Sequence, residues 1–320
     1  MSHDSSVESG SSDSSVESGL SGTSITDVDR SSEKLKNRLF HGILVAAASF
    51  GVVMLVFLFG DIFYEAVTGQ REFGIELGRF LANTGSQTPA NAGFYSAIIA
   101  SIWLMLLTTA FILFIGISTA LYLVEYAPDN RTTRLIEANL ANLAGVPSVV
   151  YGILILALIV NGAGIGSVIL AGAIALSALV VPIVIVASIE AIRAVPDGMR
   201  DGSAAAGATQ WQTIRRVILP QAIPGIMTGT ILALARAIGE TAPLLMVGAL
   251  FTDTSVPSGP FDSFSSMPVQ IYNWTFLPQR EFLALAAMGI IVLLLILLAM
   301  QAVAVYIRRK YERDVSLTGV

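Results

Sequence analysis

The 320-residue sequence contains no cysteine and only two histidines, His3 and His41. Disulfides and thiolate metal sites are therefore excluded, and two isolated histidines do not make a metal site. Charge is scarce as well. Asp, Glu, Lys and Arg make up 13% of the chain, about half the roughly 25% usual in soluble domains. No Gly-x-x-x-x-Gly-Lys-Ser/Thr cradle for nucleotide phosphates occurs, and no Ser/His/Asp set, metal cluster or pair of carboxylates placed for catalysis can be assembled. Those absences argue against an enzyme, and nothing points to a resident cofactor or a nucleic-acid partner. Apolar residues are what the chain has in quantity. They reach 54%, with a mean hydropathy of +0.73, which places the sequence among integral membrane proteins.

The net charge of -5 is misleading, because seven acids (Asp4, Glu8, Asp13, Glu17, Asp27, Asp29 and Glu33) fall in the first 33 positions. That segment reads DSSVESG twice, at 4–10 and 13–19, in a Ser- and Gly-rich setting with almost nothing to bury. Residues 1–35 are expected to be a disordered acidic tail. They lack the basic start and apolar core of a cleavable secretory leader, so none is expected.

A bilayer core about 30 Å thick takes roughly 20 mostly apolar helical residues. Stretches of that kind lie near 39–64, 93–124, 136–160, 165–192, 222–250 and 282–307, which predicts an all-α, polytopic membrane protein with six transmembrane helices. The third is interrupted by Asn139, Asn142 and Pro147-Ser148, breaks tolerated only where protein or a polar cavity covers the backbone. Lys and Arg sort by side. Arg30, Lys34, Lys36 and Arg38 precede the first span, Arg131 and Arg134 separate the second and third, Arg193, Arg200, Arg215 and Arg216 separate the fourth and fifth, and Arg308, Arg309, Lys310 and Arg313 follow the sixth. Only Arg71, Arg79 and Arg280 fall on the other side, so both termini are expected in the cytoplasm, with residues 313–320 as a short tail. Phe276, Tyr272 and Trp274, near the end of the 251–281 loop, suit an interfacial aromatic belt. The NGAGIG stretch at 161–166 reads as a tight turn.

Between the fourth and fifth spans, about residues 195–221, lies the longest polar interruption on the expected cytoplasmic side. Pro196-Asp197-Gly198 signals a turn, and Trp211, Ile214, Val217 and Ile218 recur at the spacing of one helix face. Pro220 is expected to stop that helix. Two short helices with Gly207 between them would project from the membrane. DGSAAAGATQWQTIRRVILP resembles the EAA loop of ABC importer permeases of the MetI-like type I family. Asp201, Gly202 and Ser203 stand where that family has Glu-Ala-Ala, Gly207 is its glycine, and Ile218, Leu219 and Pro220 close the pattern. The resemblance implies a loop that docks on a separate ATPase, with Asp201, Gly207, Ala208, Trp211, Leu219 and Pro220 as its marked positions.

Arg236 and Glu240 sit in the fifth apolar stretch, where a charge costs at least about 2.5–3.5 kcal/mol. Their i, i+4 spacing puts both on one face, where they can pair or share a polar cavity. Gly225, Gly229, Ala233 and Ala237 allow another helix to approach closely, and Thr241 and Pro243 follow, with the proline weakening the helix after Glu240. A structural ion pair and a path for an oxyanion both satisfy this pattern, since a guanidinium matches oxyanions through paired N–H donors. ARAIGETAPLL and GVPSVVYGIL, the latter at 145–154, resemble the phosphate-importer permease family PstA, and with the loop the resemblance covers about residues 39–312.

Membership in that family implies a permease in the cell membrane that imports phosphate. Its partners would be a PstC-like sister permease, two copies of a PstB-like ATPase and a PstS-like external phosphate-binding protein, with Arg236, Glu240 and Thr241 on the substrate path. Charge alone leaves other oxyanions open, among them molybdate, tungstate and sulfate, as it does an ion-coupled secondary carrier.

Overall fold

The computed structural model describes the backbone of residues 30–249 and 255–317; the acidic repeats of the tail lie outside the described residues. Unsatisfied amides are too costly in hydrocarbon, so an apolar chain of this kind closes its hydrogen bonds within helices. Among the described residues, five helices are long and apolar enough to cross a membrane: Lys36–Phe73, Tyr95–Tyr126, Ile169–Arg193, Gln210–Ile238 and Arg280–Lys310. The pair Arg131–Leu143 and Ser148–Gly162, bent by 104° at the residues between them, brings the number to six where the two arms are counted as one broken span. Compact packing divides the chain at Phe57/Leu58, within the first helix. The following concerns the larger part, from Leu58 onward.

The bend corrects the limits expected for the third span. Its apolar arm begins at Ser148, not at residue 136, because Pro147 cannot donate and its ring pushes the preceding residue out of the helical region. The arm before the bend is amphipathic rather than apolar. Arg193 at the end of the fourth span reaches Glu137 on that arm, Nη2 to Oε1 at 2.7 Å.

The fourth span, Ile169–Arg193, is the centre of the bundle, with 67% of its most apolar window buried. Small residues bring the fifth span onto it. A Cβ added at Gly225 would strike the Ala191 Cβ at 2.6 Å, and one added at Gly229 would strike Ala187. Ile185, Ile189 and Ile192 from the fourth span and Ile214, Ile218 and Ile226 from the fifth then form one buried cluster. Burial of this order contributes about 1.5–3 kcal/mol per large side chain in water. Within a bilayer the driving force is close packing.

Two expectations about the fifth span are overturned. Pro220 does not stop the helix, which runs unbroken from Gln210 to Ile238. Residues Ile214–Ile218 form a π-turn in which Leu219 N–H donates to Ile214 O, and this wider turn makes room for the proline ring that a regular α-turn would refuse. Nor does one helix fill 222–250. The chain breaks at Gly239–Thr241 and a second short helix, Ala242–Val247, follows, ending on Gly248 with φ of 93°.

The stretch between the fifth and sixth spans is not a simple loop either. Phe264 packs where Gly172 leaves space on the fourth span, and Met267 N–H donates to Ser101 Oγ of the second span at 2.9 Å. Helix Met267–Thr275 turns Trp274 inward, 1% exposed, against Phe80 and Phe94 with ring centroids 6.0 and 5.6 Å away. Only Tyr272 and Phe276 of the expected belt are exposed. Period 3.6 separates residue 274 from 272 and 276 on the helix surface, a distinction that composition alone does not make. NGAGIG forms the expected turn, with Gly164 at φ 67° and Gly166 at φ 84°. The last helix extends to Leu317, well into the expected C-terminal tail.

Because Gly229 lies against the Ala187 Cβ with no room for a side chain of its own, Gly229→Val is expected to destabilise the fold by about 1–3 kcal/mol, read as a melting temperature several degrees lower in detergent. Gly51→Ala, at a position with nothing within 4 Å of the new Cβ, is the matched control and should leave melting unchanged or slightly raised.

Candidate functional site

The register of the fourth and fifth spans sets the depth of the charged pair. The antiparallel contacts Gly225 to Ala191 and Gly229 to Ala187 continue upward to place Arg236 level with Val180. Ala233 and Ala237 accordingly share a buried cluster with Leu179, Val180 and Val184. At 1.5 Å per residue, Val180 stands about 16 Å from Ile169 and about 20 Å from Arg193. Arg236 is therefore at mid-depth of the fourth span.

The helix ends just there. Gly239 is the C-cap of the helix carrying Arg236, and Thr241 is the N-cap of Ala242–Val247, with no hydrogen bond from its side chain to the helix start. A cation in the last turn of one helix complements its carbonyl end, and an acid ahead of the next complements its amide end. Arg236 Nε and Glu240 Oε1 lie 3.4 Å apart, with the side chains 42% and 20% exposed. This is a single long contact rather than a two-pronged one. Among the described residues Glu240 is the arginine's only ion-pair partner, so the terminal nitrogens of the guanidinium keep donors available.

The GVPSVVYGIL stretch meets the same break from the third span. Gly152 lies against the backbone of Pro243 and the Met246 side chain, where an added Cβ would come within 2.7 Å of each. Tyr151 packs with Ala233, Ala237 and Ile238 and donates from its hydroxyl to Leu143 O at 2.8 Å. Thus the two motifs singled out in the sequence form one structure. Arg236, Glu240 and Thr241 come together in it.

The loop between the fourth and fifth spans forms a separate site. Helix Asp197–Ala205 is followed by Gly207 at φ 80°, then by a capping box in which Thr209 and Gln212 satisfy each other's backbone N–H groups. Ser203 and Thr213 hydroxyls, 2.9 Å apart, link the two helices. Asp201 and Gly207 are exposed, Ala208 is half-buried, and Trp211 is 58% exposed. Trp211 does not share the face of Ile214 and Ile218, as its spacing predicted. Those two are buried at 1%, whereas Trp211 sits in the first turn, before the helix reaches its packing partners. Leu219 and Pro220 are half-buried at the start of the membrane part, away from this exposed tip.

The model of the binding-protein-dependent transport system inner membrane component family matches residues 112–313, a stretch that contains both sites. The chain belongs to this family of MetI-like ABC importer permeases. Such permeases are multi-pass membrane transport components and not enzymes. The chain is 30% identical over 282 residues to the phosphate transport system permease protein PstA of Yersinia pestis, covering 86% of this chain and 92% of that one. It is also 30% identical over 277 residues to the probable ABC transporter permease YqgI of Bacillus subtilis, covering 82% and 92%. PstA 1 of Mycobacterium tuberculosis is 41% identical over a shorter 133 residues, 42% of this chain and 43% of the relative. The permease fold is shared with a bacterial alginate ABC transporter solved in complex with an alginate pentasaccharide-bound periplasmic protein, at a TM-score of 0.58, 16% identity, and coverage of 87% and 96%. The inward-facing methionine transporter MetNI gives 0.56 at 18% identity, with coverage of 67% and 94%.

One participant in the permease was missed in the sequence. Glu125, at the end of the second span, has a side chain only 9% exposed and pairs with Arg200 at 3.2 Å. Its 75-residue separation from Arg200 leaves no local spacing to notice. Beside the loop, the Arg134 guanidinium hydrogen-bonded to Asp129 holds that carboxyl below its usual range.

Since nothing lies within 4 Å of a Cβ at Gly207, replacing this glycine costs backbone strain alone, about 1–2 kcal/mol for a left-handed residue. Gly207→Val should accordingly speed amide hydrogen exchange across residues 203–213 about tenfold. Gly202→Ala, on the neighbouring helix with equal space, should not speed it.

Proposed function

We propose that this permease carries inorganic phosphate inward as one half of a translocation path, driven by ATP hydrolysis on a separate chain. A PstC-like sister permease would supply the other half, two copies of a PstB-like ATPase the energy, and a PstS-like protein the phosphate on the far side. Both termini then lie in the cytoplasm of a cell whose plasma membrane the protein spans. The observation that carries the reading is a guanidinium at mid-depth, beside a helix break, with only one long contact to its carboxylate.

A charge at that depth costs at least about 2.5–3.5 kcal/mol, so its presence calls for a ligand or a tight pair. The 3.4 Å single contact to Glu240 is looser than the two-pronged geometry that makes an arginine–carboxylate pair strong. A tetrahedral oxyanion can take the unused N–H donors two at a time. Glu240 limits how tightly the anion is held, so the site can release what it captures. The PstA relatives favour phosphate among the oxyanions that this chemistry admits. The exposed tip with Asp201, Gly207 and Trp211 is the surface on which the ATPase would dock, and Ala208, Leu219 and Pro220 set its base.

The test is uptake by proteoliposomes containing the complete complex, with phosphate and molybdate compared. Arg236→Gln is expected to reduce phosphate uptake at least about tenfold, which corresponds to one lost charge-assisted contact of roughly 1.5–3 kcal/mol. Arg236→Lys keeps the charge, loses the fork and should fall between, while Glu240→Gln should slow release. Normal phosphate transport by Arg236→Gln would remove that residue from the path, and faster molybdate than phosphate uptake would reassign the substrate. For the docking tip, Gly207→Val should insert normally and fail to co-purify the ATPase; undiminished co-purification would move docking elsewhere.

A further inference from the structure

We propose that Arg200 is the positioning residue that latches the loop helix to the second and fourth spans, so that a displacement of the loop reaches the helices around Arg236. The proposal rests on the ATP-driven reading above. Its ground is the convergence of four acceptors on one guanidinium. Nη1 donates to Val195 O at 2.6 Å and to Asp197 Oδ1 at 3.1 Å, while Nη2 donates to Ile192 O at 3.0 Å and Glu125 Oε1 at 3.2 Å. Those acceptors belong to the last turn of the fourth span (Ile192), the link after it (Val195), the start of the loop helix (Asp197) and the end of the second span (Glu125).

An exposed ion pair would deserve little weight. This one is different in kind. The Arg200 side chain is 22% exposed and that of Glu125 9%, and the planar fork adds donors to the Ile192 carbonyl in the last turn of the fourth span and to the Val195 carbonyl just past it. Glu125 also grips the far side of the loop, since its backbone carbonyl accepts from Gln210 Nε2. One residue of the second span therefore holds the helices on both sides of Gly207.

Among the described residues, the other side-chain hydrogen bonds of the loop helix to a span lead to the fifth helix: Ser203 Oγ to Thr213 Oγ1 at 2.9 Å and Gln221 Nε2 to Met199 Sδ at 2.9 Å. Removing the Arg200 fork would thus leave the loop helix tied to the fifth helix and joined by the chain to the fourth span, while removing its side-chain tie to Glu125 of the second span and to the carbonyls of Ile192 and Val195. Docking and transmission become separable. That separation is what a merely structural role for Arg200 would not produce.

The measurement is ATP hydrolysis and phosphate uptake in the same proteoliposomes of the complete complex, together with the amount of ATPase that co-purifies. Arg200→Gln and Glu125→Gln are each expected to bind the ATPase as wild type does, yet to move about tenfold less phosphate per ATP hydrolysed. The double variant should be no worse than either alone. Should Arg200→Gln fail to assemble, Glu125→Asp retains the charge and shortens its reach, and it should lower the same ratio with assembly intact. An unchanged ratio in Glu125→Asp and Glu125→Gln, or losses that simply multiply in the double variant, would overturn the latch. Wild-type uptake that proceeds without any ATPase would instead overturn the reading on which the latch depends.

Discussion

The seam of small residues between the fourth and fifth spans determines where everything else in the permease stands. Gly225 and Gly229 can lie on Ala191 and Ala187 only because neither glycine carries a side chain, and a helix that approaches so closely cannot slide by a turn without driving larger residues into one another. The register then carries Arg236 to the level of Val180. A larger residue at 229 would push the fifth helix away and, with it, the arginine from its neighbours. Depth in the membrane is here a consequence of packing, and the charge is placed by residues that have no polarity at all.

Mid-depth would be a poor place for a carboxylate and a guanidinium if the surrounding backbone were regular. The break at Gly239–Thr241 changes the local electrostatics. One helix presents its carbonyl end and another its amide end within a few residues, so that each charge meets the end of opposite sign. Gly152 of the third span covers this irregular backbone by touching Pro243 directly, which is the condition under which non-helical chain survives at such depth. Arg236 keeps partial exposure beside it, 42%.

Much of this was legible in the sequence, and the limits of legibility have physical causes. Arg236, Glu240 and the small residues before them announced themselves because helical spacing is a local property, and Pro147 marked a real bend although not its angle. Pro220 misled because the π-turn at Ile214–Ile218, just before it, reshapes the site into which its ring fits, and no residue type reports that turn. Trp274 misled in another way: an aromatic near the end of an extramembrane loop suits an interface, but its burial against Phe80 and Phe94 depends on the loop folding back into the bundle. Glu125 was invisible because its partner is remote in sequence. Local chemistry was readable at the candidate path, whereas contacts between distant elements were not.

One helix joins the two sites. From Gln210 to Ile238 it contains 29 residues, about 42 Å of continuous rod at 1.5 Å per residue, with exposed Trp211 in its first turn and Arg236 in its last. A rod so long transmits displacement only if it is held along its side and not merely at its tip. The Gly–Ala seam holds it against the fourth span, and Arg308 Nη1 donates to Thr228 Oγ1 at 2.9 Å to hold it against the sixth. The π-turn at Ile214–Ile218 lies outside the seam, between the exposed tip and the first packed glycine, with Pro224 inside the helix just before that glycine. Tilt at the tip can therefore be taken up there without separating Gly229 from Ala187. Beyond the seam the helix stays regular up to Gly239, the cap that follows Arg236.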